Sequence, residues 1–190
     1  MRCCKISGLE AEDIKKREKL QLSLAEYSKV FEFARSIGLL AGASFFSYYG
    51  QNIQKQCDFI KVASRSYPDS MPSLSSGIPV LVSCGKHLPA EPNGDWIYMA
   101  CVSQYPTERV PFAAMKYLAA LRDDGVWGYS SHFVVPYPVD CMAAVRMGAR
   151  VIEKHICIDR AGLTVDKSVS LQPDELKEFV ERLHGQLDKS

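Results

Sequence analysis

Apolar residues along this chain fall in short, nearly unbroken runs, separated by segments with helical spacing. The runs lie at 39–46, 59–64 (FIKVAS), 78–83 (IPVLVS), 96–102 (WIYMACV), 126–132 and 150–156. Strands buried on both faces read this way, because neither face alternates with polar side chains. Helical stripes sit between several of them. Tyr27, Val30, Phe31 and Ala34 share one helix face, Ser23 and Glu26 before them have capping-box spacing, and the pattern stops near Gly38. Phe112, Met115, Leu118 and Leu121 make a second stripe, and Val139, Met142, Ala143 and Met147 a third that ends at Gly148. A last helix starts at Pro173, with Asp174 and Glu175 favourable to its dipole. Residues 3–7 (CCKIS) allow one more short strand, 9–20 read as a solvated loop or helix, and 87–95 as a loop. Repeated strand–helix units imply right-handed crossovers and a parallel sheet, open or closed.

Composition narrows the class. The 190 residues suit a single domain, 1–190, and 47% of them are apolar, enough for a real core. A closed parallel barrel typically takes about 250 residues, so this would be a short one. The formal net charge of +1 gives no bulk electrostatic case for nucleic acid. No apolar run reaches the roughly 20 residues of a membrane helix. Seven scattered cysteines without a C-x-x-C pair fit a reducing cytoplasm better than a disulfide framework. Those at 57, 84, 101, 141 and 157 sit mostly in apolar contexts, where packing is the default.

Polar residues gather at the C-terminal ends of the runs. Lys61 to Ser64 end one, Ser83-Cys84-Gly85 a second, Ser103-Gln104-Tyr105-Pro106 a third, Ser130-Ser131-His132 a fourth, and Glu153-Lys154-His155 a fifth. Active sites of parallel α/β folds lie at that edge. His132 and His155 end consecutive strands joined by one helix, which brings them close enough to share a divalent cation. Two separate, hydrogen-bonded imidazoles fit the same spacing. Glu153, two residues before His155, shares its face. Lys61, inside an apolar run, either meets an anion such as phosphate or carboxylate, or forms an internal ion pair. His87 and His184 read as loop and surface residues. Asp159 and Asp166 follow the last strand in a loop. Nucleotide-binding glycine motifs and the G-x-S-x-G elbow are absent.

Taken in order, KVAS at 61–64, SCG at 83–85, SQYP at 103–106, SSH at 130–132 and EKH at 153–155 resemble the strings of the sialic acid synthase family. That family comprises N-acetylneuraminate synthase and its spore-coat, legionaminate and pseudaminate relatives. The tail at 158–176 is similar to the family's aspartate-arginine loop before the last helix. The resemblance implies a (β/α)8 TIM-type barrel. It implies a transferase that condenses phosphoenolpyruvate with an open-chain N-acetylated sugar of the N-acetylmannosamine type, giving a nonulosonic acid and phosphate. Mn2+ or Mg2+ would assist, held by His132 and His155. Lys5, Ser44, Lys61, Ser64, Ser83, Gly85 and Ser130 match phosphoenolpyruvate-binding positions. Ser103, Tyr105 and Asp166 match sugar-contacting positions, and Glu153 and Asp166 would be the catalytic carboxylates. The partners implied are these small molecules and a second copy in a homodimer, with no nucleic acid or membrane.

Departures accompany the match. On the family pattern the chain begins at the second strand, so the barrel would lack its first strand and the sugar-contacting glutamate there. On the same pattern the family's C-terminal antifreeze-like domain would be missing too. Ser66 stands where the family has an acidic residue, Ser131 replaces the aspartate before the metal histidine, and the segment after SCG is short. These changes keep a second expectation open: a catalytically inactive remnant, or an anion- or metal-binding module on the same scaffold.

Overall fold

The computed structural model describes residues 22–45, 51–68, 77–121, 125–134, 138–162 and 166–187, with Lys19 and Leu74. Six strands pair in chain order, all parallel: β1 (Gly42–Phe45), β2 (Phe59–Val62), β3 (Val80–Cys84), β4 (Trp96–Cys101), β5 (Gly128–Ser131) and β6 (Val151–Lys154). The helices are α1 (Leu24–Ser36), α2 (Gln51–Gln54), α3 (Phe112–Leu121), α4 (Val139–Arg146) and α5 (Pro173–Leu187). The result is a parallel α/β half-barrel. Among the described residues β1 and β6 are its edges. The strand predicted at 3–7 and nearly all of 9–20 lie outside the described residues. The loop expected at 87–95 carries neither helix nor strand.

Local signals explain the elements. Ser23 caps α1 as its spacing predicts: Glu26 N–H donates to Ser23 Oγ at 3.3 Å, and Ser23 N–H donates to the Glu26 carboxylate at 2.7 Å. At the other end, Arg35 Nε donates to Asp58 Oδ2 at 3.0 Å, and Ala41 N–H donates to the same oxygen at 2.8 Å. One carboxylate thus ties the end of α1 and the entry to β1 onto the start of β2. Gly42 lies so close to Phe59 that a Cβ would collide with its carbonyl and ring.

The two faces of the sheet do different work. Ile60, Val62, Val82, Tyr98, Ala100 and Tyr129 face the helices and pack with Phe31, Met115, Leu118 and Phe179. Burying a side chain such as Leu118 contributes about 2 kcal/mol. The period of two sends Ser44, Lys61, Ser83, Cys101, Ser130 and Glu153 to the opposite, barrel-interior face. Ser44 stands beside Lys61 in the β1–β2 register, and Ser130 beside Cys101 and Glu153. Cys57, Cys84, Cys101 and Cys141 are buried free thiols, and Cys157 is half-buried. Burial pushes the Cys84 and Cys141 thiols up to about 12, which keeps them protonated and inert.

Candidate functional site

The interior face carries a connected polar cluster at the C-terminal ends of the strands. Lys61 is buried, and its Nζ donates to Ser83 Oγ at 2.7 Å and lies 3.2 Å from Glu153 Oε2. Ser130 Oγ donates to the other oxygen of Glu153 at 2.7 Å. Of the two fates open to Lys61 in the sequence, the ion pair is therefore present. It does not close the site to anions, because Glu153 is one-third exposed and can yield the ammonium to a more highly charged ligand.

Beside this pair lies a second group of donors. Gly85 N–H donates to Ser64 Oγ at 2.9 Å, and the Ser64 and Ser103 hydroxyls are 2.8 Å apart. A Cβ at position 85 would collide with both hydroxyls and stand 2.9 Å from Cys101 Sγ. Any larger residue there would have to displace these side chains. Together the ammonium, three hydroxyls and a backbone N–H form a donor-rich end to β2, β3 and β4, suited to phosphate or carboxylate oxygens.

The histidines stand one residue beyond β5 and β6. Their ring centroids are 5.4 Å apart. Tyr105 stacks on His132 at 3.9 Å and meets His155 edge-on at 5.5 Å. Neighbouring backbone fixes both positions: Thr107 N–H donates to the His132 carbonyl at 3.0 Å, and Leu171 N–H to the His155 carbonyl at 2.8 Å. His132 Nδ1 donates to the Val102 carbonyl at 2.6 Å, which fixes the tautomer and leaves Nε2 as a lone pair. His155 Nδ1 lies 3.8 Å from Asp166 Oδ2. Asp166 has φ of 54°, a left-handed conformation that aspartate tolerates at a turn. Burial lowers both imidazoles from their ordinary value, with Val102 opposing this at His132 and Asp166 opposing it at His155. Both are neutral at pH 7, as metal ligands must be.

This donor set fits a divalent cation that takes two imidazoles and fills its remaining positions with water or substrate oxygens. No cluster of three His, Cys, Asp or Glu side chains suited to a metal occurs among the described residues.

The structure thus brings Ser44, Lys61, Ser64, Ser83, Gly85, Ser103, Tyr105, Ser130, His132, Glu153, His155 and Asp166 to one edge of the half-barrel. Lys5 lies outside the described residues. His87 and His184 are exposed. Sequence reasoning missed Asp140. It sits in the first turn of α4, fully buried, where an acidic residue otherwise reads only as a favourable charge on the helix dipole.

Comparison with known proteins agrees with the motif order. The sequence matches the NeuB family over residues 5–187. The chain belongs to the NeuB family. It is 43% identical over 94 residues to the spore coat polysaccharide biosynthesis protein SpsE of Bacillus subtilis, covering 48% of this chain and 25% of that protein. It is 28% identical over 184 residues to human N-acetylneuraminate-9-phosphate synthase, covering 86% of this chain and 50% of that one. The pseudaminic acid synthase of Campylobacter jejuni is 28% identical over 176 residues, covering 82% of this chain and 50% of that one. This NeuB-family chain therefore spans about half the length, or less, of these curated relatives. In fold it is similar to the N-acetylneuraminic acid synthetase of Leptospira borgpetersenii, with a TM-score of 0.77 at 22% identity over 95% of this chain and 68% of that one. A 3-deoxy-D-arabino-heptulosonate 7-phosphate synthase from Thermotoga maritima shares the barrel at a TM-score of 0.65 and 13% identity, over 89% of this chain and 73% of that one. No helix among the described residues is long and apolar enough to cross a membrane.

Proposed function

We propose that this edge of the half-barrel binds phosphoenolpyruvate and condenses it with an open-chain N-acetylated sugar, giving a nonulosonic acid and phosphate. The observation that carries the reading is a single one. A donor-rich cluster around Lys61 and a pair of neutral imidazoles at His132 and His155 share one strand-end rim. The first suits a phosphorylated carboxylate, and the second suits a cation facing an aldehyde.

The residues divide the work. Lys61, Ser64, Ser83 and the Gly85 N–H hold the anionic oxygens of phosphoenolpyruvate, and Ser44 and Ser130 line the same face. Ser103, Tyr105 and Asp166 border the side where the sugar enters. His132 and His155 hold Mn2+ or Mg2+, which when bound supplies a Lewis acid for the sugar carbonyl. Imidazole nitrogens favour Mn2+ over the oxygen-demanding Mg2+. C3 of phosphoenolpyruvate forms the new bond to the aldehyde carbon, whose oxygen takes up a proton and becomes a hydroxyl. Water adds at C2, and Glu153 takes its proton. The C2–O bond to phosphate then breaks, leaving a ketone.

Phosphate release tests this directly. Purified chain with Mn2+, phosphoenolpyruvate and N-acetylmannosamine should release phosphate only when the sugar is present. His132→Ala and His155→Ala should each abolish the release. Phosphoenolpyruvate and Mn2+ binding without release from folded protein would support the binding-module reading instead.

A further inference from the structure

Behind the site, on the helix-facing side of β5 and β6, lies a second polar cluster that the proposed chemistry does not use. Tyr129, Ser131 and Asp140 are all fully buried. Asp140 Oδ2 accepts from Tyr129 OH at 2.8 Å and from Ser131 Oγ at 2.6 Å. Its other oxygen, Oδ1, is buried with no hydrogen-bond partner. Lys154 Nζ donates to Ser131 Oγ at 3.1 Å and to the Phe133 carbonyl at 2.8 Å. The proton order follows from these contacts. Ser131 gives its only proton to the carboxylate, so its lone pairs receive the ammonium. One carboxylate on α4 thereby anchors hydroxyls of β5 and, through Ser131, the lysine of β6.

The consequence falls on His132. Ser131 and Phe133, the residues on either side of it, are both held by Lys154. Lys154 itself precedes His155. A buried carboxylate costs several kcal/mol in desolvation, and a core packed only for stability would place an apolar residue here. We propose that Asp140, acting through Ser131 and Lys154, is a positioning residue that fixes the end of β5 and so the His132 imidazole. On the family pattern an aspartate stands at 131; in this chain the carboxylate arrives from α4 instead. Its consequence for Mn2+ rests on the function proposed above, while the ordering of His132 does not.

The test uses the full chain labelled with 15N-histidine. In the wild type, the buried His132 Nδ1 proton, held by the Val102 carbonyl, should exchange slowly with water. Asp140→Asn keeps the shape and one acceptor, so it should fold, but it removes the charge. It should speed exchange of that proton about tenfold and weaken Mn2+ binding by about the same factor, at the low end for outer-shell partners. Restoring a carboxylate from the strand, in Asp140→Asn/Ser131→Asp, should recover both to within about threefold of wild type. Unchanged exchange in Asp140→Asn overturns the proposal. So does a folded double variant that recovers neither quantity. A wild type with a slowly exchanging His132 proton and no Mn2+ binding would sink the metal reading alone, with exchange in the variants still deciding the role of Asp140.

Discussion

The two faces of the sheet carry the same chemical ingredients in opposite settings. On the interior face, Lys61 touches Glu153 directly, and serines 83 and 130 complete the group. On the helix-facing side, Lys154 and Asp140 are joined through the Ser131 hydroxyl, and Tyr129 completes it. The difference is access. Glu153 is one-third exposed, whereas Asp140 is sealed between sheet and helix. A partly hydrated pair can exchange partners with an arriving anion, while a buried carboxylate cannot leave its hydroxyls unpaired without a large penalty. The interior group is therefore built to bind, and the outer one to hold.

Substitutions can break this contrast. The largest stability effect should come from Asp140→Ala, which strips two buried hydroxyls of their acceptor and should cost about 3 kcal/mol in urea unfolding. Glu153→Gln should cost less, about 1–2 kcal/mol, because water reaches the Glu153 side while the buried Lys61 loses its counter-charge but keeps Ser83. For ligand binding the order reverses. Lys61→Met should weaken phosphoenolpyruvate about 100-fold, as expected for losing a charge-assisted contact worth roughly 3 kcal/mol. Gly85→Ala should weaken it about tenfold, by pushing Ser64 and Ser103 aside, at a cost near that of one hydrogen bond.

The smallest effect expected is a pH dependence. Burial lowers His132 and His155 in the fold. As pH falls through about 6.5, the unfolded chain binds protons that the folded chain resists. Their stabilising contribution is thus complete above about pH 6.5 and declines below it. Urea midpoints measured from pH 7.5 to 5 should fall, and replacing both histidines with glutamine should flatten the slope.

Much of this was legible in the sequence. Unbroken apolar runs marked β2 to β6, and the capping spacing of Ser23 and Glu26 marked the start of α1. The residues ending each run marked the rim, because successive parallel strands must present their ends together. The pairing of His132 with His155 followed from the single crossover between them. Other features were not legible. Lys61 alone cannot reveal that its counter-charge comes from β6, four strands away in the chain. Asp140 looked like an ordinary helix-start acid, since nothing in a lone P-V-D-C segment says which side chain will be sealed against the sheet. The Val102 carbonyl, which sets the His132 tautomer, carries no side-chain signature at all.

Titration of phosphoenolpyruvate into wild type, Lys61→Met and Asp140→Asn is the most direct test of the division between a binding face and a holding face. The account predicts saturable binding by the wild type, its near loss in Lys61→Met, and affinity within about threefold of wild type in Asp140→Asn, whose charge lies behind the sheet. No binding by the folded wild type, or equal loss in both variants, would contradict it.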